Sequence, residues 1–207
     1  GGQFSRAYDL SIDRYDNVYV IGHSPHSVNG VRAKYSTDNF ITKYHGNNNL
    51  GHAWTKRPDT RNGPNTGNHI VTSDSGNVFS IINIAGGSQG YRRYLIGFDT
   101  NGNEQFKKLL DRRNASITDL LYLEEPKLVV CIGTNFIDTF SHDGVLLNSE
   151  TVTGDTNKFI TAPNPGVAFG YCNTVPRRWE FAANGGQINL RNATTSNATA
   201  YWIAIDG

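Results

Sequence analysis

The chain has 207 residues, 37% of them hydrophobic and 18% charged, with a formal net charge of +1. That length supports one well-buried domain and falls short of two comfortable ones, and the near-neutral balance argues against a dedicated nucleic-acid binder. No apolar run reaches the length of a membrane-spanning helix.

Glycine, at 22 residues, and plentiful asparagine suit a chain of many tight turns, because both tolerate left-handed backbone. Residues 7–56 read AYDLSID-RYDN-VYVIG and then FITKYHGNNNLGHAW: strand, polar turn, strand, loop, and a hairpin ending on an aromatic. Residues 68–108 repeat the order in NHIVTSDSGNVFSII and YLIGFDTNGNEQFKK, and residues 117–150 repeat it in ITDLLYLEEPKLVVCIG and FIDTFSHDGVLLNS. Four short strands recurring with a period of roughly 35–55 residues predict the blades of a small β-propeller, an all-β fold. NVYVIG, NVFSIIN and KLVVCIG are near-continuous apolar runs, as expected of strands covered on both faces. Cys131 and Cys172 lie in such second strands and read as buried thiols rather than a disulfide.

The fourth unit is irregular. KFITAPNPG and VAFGYC supply two strands, and YWIAIDG at the C-terminus matches YLIGFD of the second unit. RRWEFAANGGQINLRN between them reads as a hairpin insertion over about 174–199. The expectation is one domain over 1–207, with blades about 7–56, 68–108, 117–150 and 158–207 plus 1–6. The N-terminal strand would pair with the C-terminal blade and close the ring. Four blades are expected, with five as the alternative. Methionine is absent throughout, position 1 included, so a fragment of something longer is expected.

The segments DRYDNVYVIGHS, DNFITKYHGNNNLGHAW and SDSGNVFSII with FDTNGNEQF resemble the extracellular bacterial β-propeller repeats called SBBP repeats. Their pattern is D-x-x-GN-V-Y-V-x-G, then F-x-x-K-Y/F-D-x-x-G and an aromatic. Asp16 stands where that pattern has glycine, and Phe106 where tryptophan is common. The resemblance implies the fold and an extracellular or surface setting, and no reaction.

In a propeller the loops between second and third strands and between blades gather on one face. Arg32 falls in GHSPHSVNGVRAKYSTD, Arg57 and Arg61 in RPDTRNGPNTG, and Arg92 and Arg93 end AGGSQGYRR. Arg112 and Arg113 fall in the next inter-blade loop, and Arg177 and Arg178 open the insertion. These residues predict a cationic rim, with Tyr35, Tyr91 and Trp179 offering flat faces. Arginine's planar fork suits carboxylate, sulfate or phosphate. The plainer alternative is solvated arginines, or pairs with Asp38, Asp59, Asp111 and Asp155.

His23-Ser-Pro-His26 offers two metal ligands without a third, so no metal site is expected. Asp99-Thr-Asn101-Gly-Asn103 opens like a calcium loop but lacks its glycine and its final glutamate, and reads as a hairpin turn. No serine elbow or reactive-cysteine context is present, so no catalytic residue and no cofactor are assigned. The function expected is non-enzymatic recognition of an acidic glycan or similar receptor on a cell or virion surface, as in a spike, adhesin or tail-fibre tip. The alternatives are a glycoside hydrolase or lyase acting on acidic polysaccharide, and a structural assembly module.

Overall fold

The computed structural model describes residues 4–46, 49–58, 65–85, 91–110, 116–152, 156–161, 166–172, 175–182 and 187–192. Among these, sixteen strands form four antiparallel sheets of four consecutive strands each. The first sheet holds β1 (Arg6–Ile12), β2 (Val18–Ser24), β3 (Asp38–His45) and β4 (Gly51–Lys56). The second holds β5 (Asn65–Thr72), β6 (Val78–Ala85), β7 (Tyr91–Phe98) and β8 (Glu104–Leu110). The third holds β9 (Ile117–Leu123), β10 (Leu128–Gly133), β11 (Phe136–Ser141) and β12 (Leu146–Thr151). The fourth holds β13 (Thr156–Thr161), β14 (Val167–Cys172), β15 (Val175–Phe181) and β16 (Gln187–Asn192). The chain is all-β, and its four sheets are propeller-type blades. Gly1–Arg113, with the first two sheets, and Asn114–Gly207, with the last two, are separate compact units.

The fourth sheet corrects one expectation. The hairpin 177–192 is no insertion: it supplies β15 and β16, with β15 paired to β14 from Val167↔Glu180 to Cys172↔Val175. Only two residues separate β14 from β15, so the nearest strand in sequence takes the pairing. Arg6, expected with the last blade, instead begins β1 opposite His23 of β2. Residues 1–3 and 201–207, on which the expected ring closure falls, lie outside the described residues.

One turn recurs four times and explains the repeat's spelling. The backbone N–H groups of Asp13, Ser73, Asp99 and Ser141 each donate to the carbonyl four residues on, at 2.8–3.1 Å. The side chain of the same residue accepts the N–H of that fifth residue: Asn17, Asn77, Asn103 or Val145, at 2.8–3.1 Å. The fourth position is left-handed, with φ of 61° at Asp16, 83° at Gly76, 77° at Gly102 and 79° at Gly144. Glycine occupies such a position without a Cβ penalty; Asp16 pays one.

In the first unit Tyr19, Ile21 and Ile41 of the first sheet pack against Ile70, Val78, Ile82, Ile84, Ile96 and Phe98 of the second. Gly67 lets the sheets meet, since a Cβ there would fall 2.3 Å from Ile21 Cγ1. Polar side chains of β1 bind the backbone of β5: Ile70 N donates to Asp9 Oδ2 at 3.0 Å and Thr72 N to Ser11 Oγ at 3.1 Å. At the turn end, buried Tyr19 donates its hydroxyl to Asp13 Oδ2 at 2.9 Å. Lys43 Nζ stands 5.1 Å from the centre of the Tyr19 ring, and Trp54 Nε1 donates to Thr100 O at 3.1 Å. Burial acts to raise the Asp13 pKa, but hydrogen bonds from Asn17, Tyr19 and Tyr15 outweigh it and hold the carboxyl below its ordinary value. Burial foremost, then Asp13, pushes the Tyr19 phenol up, and burial pulls the Lys43 ammonium down against the opposing pull of Asp13.

In the second unit Leu121, Leu123, Leu128, Val130, Ile132, Ile137 and Val152 of the third sheet and its flank pack with Ala168, Trp179 and Phe181 of the fourth. Every residue of β10 is buried, as its apolar run predicts. Cys131 there is fully buried; the side chain of Cys172 lies outside the described residues.

Candidate functional site: a cationic cleft on the first sheet

The long connection from β2 to β3, residues 25–37, folds back on the first sheet and is pinned at two points. Arg57, just past the end of β4, is the first pin. Its Nη1 donates to the carbonyls of Ser24 (3.2 Å), Asp38 (2.9 Å) and Asn39 (3.3 Å), its Nε to Val31 (3.3 Å), and its Nη2 to His26 (2.6 Å). The guanidinium side chain is 6% exposed, and Asp38 Oδ2 lies 3.9 Å from Nη1. Burial lowers the Arg57 pKa and Asp38 opposes it, while the guanidinium stays charged in either case. Asp38 also accepts the backbone N–H of Lys34 at 2.9 Å, which fixes the loop's return leg.

Asn29 is the second pin. Val-Asn-Gly-Val (28–31) is a two-residue hairpin tip in which Val28 and Val31 exchange hydrogen bonds. Asn29 and Gly30 both take positive φ, 46° and 83°, as this tight turn requires. The turn aims Asn29 Nδ2 at the sheet, where it donates to Thr42 Oγ1 and Thr55 Oγ1 at 3.1 Å and approaches Tyr44 Oη at 3.3 Å. Thr42 and Thr55 share a hydrogen bond at 2.9 Å, and His52 Nε2 lies 2.9 Å from Thr55 Oγ1. Loop and sheet are thereby joined by a small polar network.

Between the pinned loop and the end of β4 lies a cleft of about 370 Å³. Arg32, Lys34, Lys56 and Arg57 line it against one carboxylate, Asp38, with Tyr35 and Pro58 as walls. Lys34 Nζ stands 5.7 Å from the centre of the Tyr35 ring, a cation–π contact that holds the ammonium at the cleft. Asp38 is already engaged by Arg57 and by the Lys34 N–H, so among the described residues the lining is predominantly cationic.

Of the residues read from sequence, the structure brings Arg32 and Tyr35 together in this cleft. Arg61, Arg112 and Arg113 lie outside the described residues. Tyr91, Arg92 and Arg93 are not in a loop: they are the first three residues of β7, paired with Ala85, Ile84 and Asn83. Strand alternation sends neighbouring side chains to opposite faces, so Arg92 and Arg93 do not act as a pair. Arg177 and Arg178 lie within β15 for the same reason, and Arg178 forms an ion pair with Glu180 two residues on. Trp179 is fully buried between the third and fourth sheets and offers no face to a ligand. Sequence reasoning passed over Lys34, Lys56 and Asn29. Asn29-Gly30 was the available signal, since that pair marks a tight turn that brings its loop back on itself.

The weaker motifs are structural. Asp99 accepts from the N–H groups of Asn101 (2.9 Å) and Asn103 (2.8 Å) and caps its own hairpin. Among the described residues no group of three or more His, Cys, Asp or Glu side chains gathers as a metal site.

No protein-family model matches the chain, and no curated protein matches its sequence. Solved structures do match its fold. The major allergen Mala s 1 of Malassezia sympodialis aligns with a TM-score of 0.59 at 11% identity, over 94% of this chain and 65% of that one. A protein of unknown function from Bacteroides caccae gives 0.58 at 10% identity, over 93% and 62%. The periplasmic gluconolactonase of Pseudomonas aeruginosa gives 0.57 at 8% identity, over 93% and 58%. The chain thus spans about three fifths of the length of the structures it resembles. At such identities the likeness concerns the fold alone.

Proposed function

We propose that this chain is a recognition module that binds an acidic glycan at the cleft between residues 25–37 and the end of β4. The observation that carries this reading is the cleft's charge: among the described residues Arg32, Lys34, Lys56 and Arg57 line it with one carboxylate, Asp38, in a protein whose formal net charge is +1. The cleft volume of about 370 Å³ falls at the small end of ligand sites, which run from about 300 to 1,000 Å³. A surface or extracellular setting, on a cell or a virion, is part of the proposal and rests on the SBBP-like spelling of the first two units. Among the described residues the carboxylate lining the cleft, Asp38, holds Arg57 and the loop, which supports binding over glycosidic cleavage, since that needs two carboxyl groups at a set separation.

The test is an array of neutral and acidic glycans probed with the full chain at low and at raised salt. Salt-sensitive binding to acidic members, reduced in the Arg32→Ala/Lys56→Ala double variant, is the expected result. Equal binding by wild type and double variant would move the function away from this cleft.

A further inference from the structure

We infer that the outward face of the first sheet is a self-association surface, on which the same face of a second copy of this chain packs sheet on sheet. The register of β1 against β2 fixes which side chains share that face. The pairs Asp9↔Ile21 and Ser11↔Tyr19 point to the second sheet. There Asp9 and Ser11 accept the N–H groups of Ile70 and Thr72, and Tyr19 and Ile21 join the core. The pairs Leu10↔Val20 and Ile12↔Val18 therefore lie on the opposite face. A strand with one solvated face ordinarily turns polar residues to the water. All four residues here are aliphatic: Leu10 is 59% exposed and Ile12 57%, with Val18 and Val20 half-buried.

The second sheet shows what this side of the repeat is built to do. Aligning the turn residues Asp13 and Ser73 sets Leu10 level with Ile70 and Val18 level with Val78. Ile70 is 4% exposed and Val78 0%, because Tyr19, Ile21 and Ile41 of the first sheet pack on them. The first sheet thus turns to solvent the side of a blade that the second sheet buries against a neighbour. Part of that side is filled from within. Tyr44 and Thr42 of β3 stand opposite Val18 and Val20, and Asn29 of the pinned loop donates to both. The β1–β2 half stays open. No charge lies among its four aliphatic side chains, so two copies related by a twofold axis meet there without like-charge repulsion. Two such faces pack about 10 Å apart, as in a β-sandwich. The patch is only two strands wide, so the expected dimer is weak and exchanges with monomer.

The experiment follows the full chain by sedimentation equilibrium from micromolar to millimolar concentration, with backbone amide shifts recorded on dilution. The expected result is a reversible monomer–dimer equilibrium, with dilution shifts at residues 8–12 and 18–20 and none at 99–103. Leu10→Lys/Ile12→Lys is expected to raise the dimer dissociation constant about tenfold or more. The thermal midpoint should hold, since both side chains already stand largely in water. Leu10→Thr, which keeps a strand-forming residue, is expected to raise the constant about threefold. A chain that stays monomeric at millimolar concentration overturns the proposal and leaves this face to a further blade of different origin. A dimer that survives Leu10→Lys/Ile12→Lys, or whose dilution shifts map elsewhere, overturns it as well.

Discussion

The two ends of the first sheet use their polar side chains in opposite ways. At the turn end, Asp13 accepts from Tyr15 N, Asn17 N, Asn17 Nδ2 and Tyr19 Oη, all between 2.8 and 3.2 Å, and nothing is left to offer a ligand. The second sheet repeats that economy at Ser73 and Asp99. At the loop end, buried Arg57 and exposed Asn29 do the structural holding, while exposed Arg32 stands at the cleft. The difference teaches where to look on such a scaffold. Turns that recur in the first three sheets are solved by the same local hydrogen bonds, and the irregular loop that departs from the repeat is where cationic side chains gather at a cleft.

The comparison breaks most visibly through residues that belong to neither end. Trp179→Ala is expected to cost about 3–5 kcal/mol in urea denaturation, the usual range for emptying a buried aromatic site, since the ring is wholly buried in the second unit's core. Trp179→Phe at the same position is expected to retain full glycan binding; a binding loss with the fold intact would return this residue to the ligand site.

Arg57→Ala strips five carbonyls of their donor at once and is expected to cost about 2–4 kcal/mol, as for other buried charged hydrogen-bonding groups. Hydrogen exchange should quicken across 25–37 while the turns at 13–17 and 99–103 keep their protection. Uniform acceleration over both ends would contradict a pin that acts locally.

Asp13 and Asp99 build the same turn, one buried and one half-buried, and so separate burial from local bonding. Asp13→Ala leaves the Tyr19 hydroxyl only its longer bond to Gly76 O, at 3.3 Å, and is expected to cost about 2–3 kcal/mol, against about 1 kcal/mol or less for Asp99→Ala. The pH dependence has a definite sign. The folded Asp13 carboxyl titrates below its ordinary value of 3.8, so its ionised form stabilises the fold above that value. The contribution is lost as pH falls from there through the lowered folded pKa. The stability gap between wild type and Asp13→Asn should therefore shrink on acidification below about pH 4; a gap that widens would reverse the assignment.

The smallest expected effect is a gain. Asp16→Gly relieves the left-handed position that Gly76, Gly102 and Gly144 fill elsewhere, and should stabilise by about 0.5–1 kcal/mol in the same denaturation experiment.

These turns also mark how far the sequence alone could be read. The D-x-x-G-N spelling is dictated by a left-handed fourth residue and a side-chain cap, both local, so the strands around Asp13, Ser73, Asp99 and Ser141 were legible one residue at a time. The fourth sheet was not, because its identity depends on whether the adjacent RRWEF or the distant YWIAI pairs with β14, and the two are equally good strands in composition. The site was half legible for a related reason. Arg32 and Tyr35 share a loop and could be placed together, whereas Arg92–Arg93 and Arg178–Trp179 changed meaning once they proved to be strand residues with alternating faces. That Arg57 is a buried brace follows only from carbonyls 18 to 33 residues away in sequence.

The most direct test maps an acidic oligosaccharide onto the backbone amides of the intact chain. The account predicts that shifts concentrate at 25–37 and 55–58, fade as salt is raised, and leave the turns at 13–17 and 99–103 unmoved. Shifts centred on the turns, or spread evenly over both ends of the sheet, would contradict the claim that the cationic cleft of the loop end is the binding site.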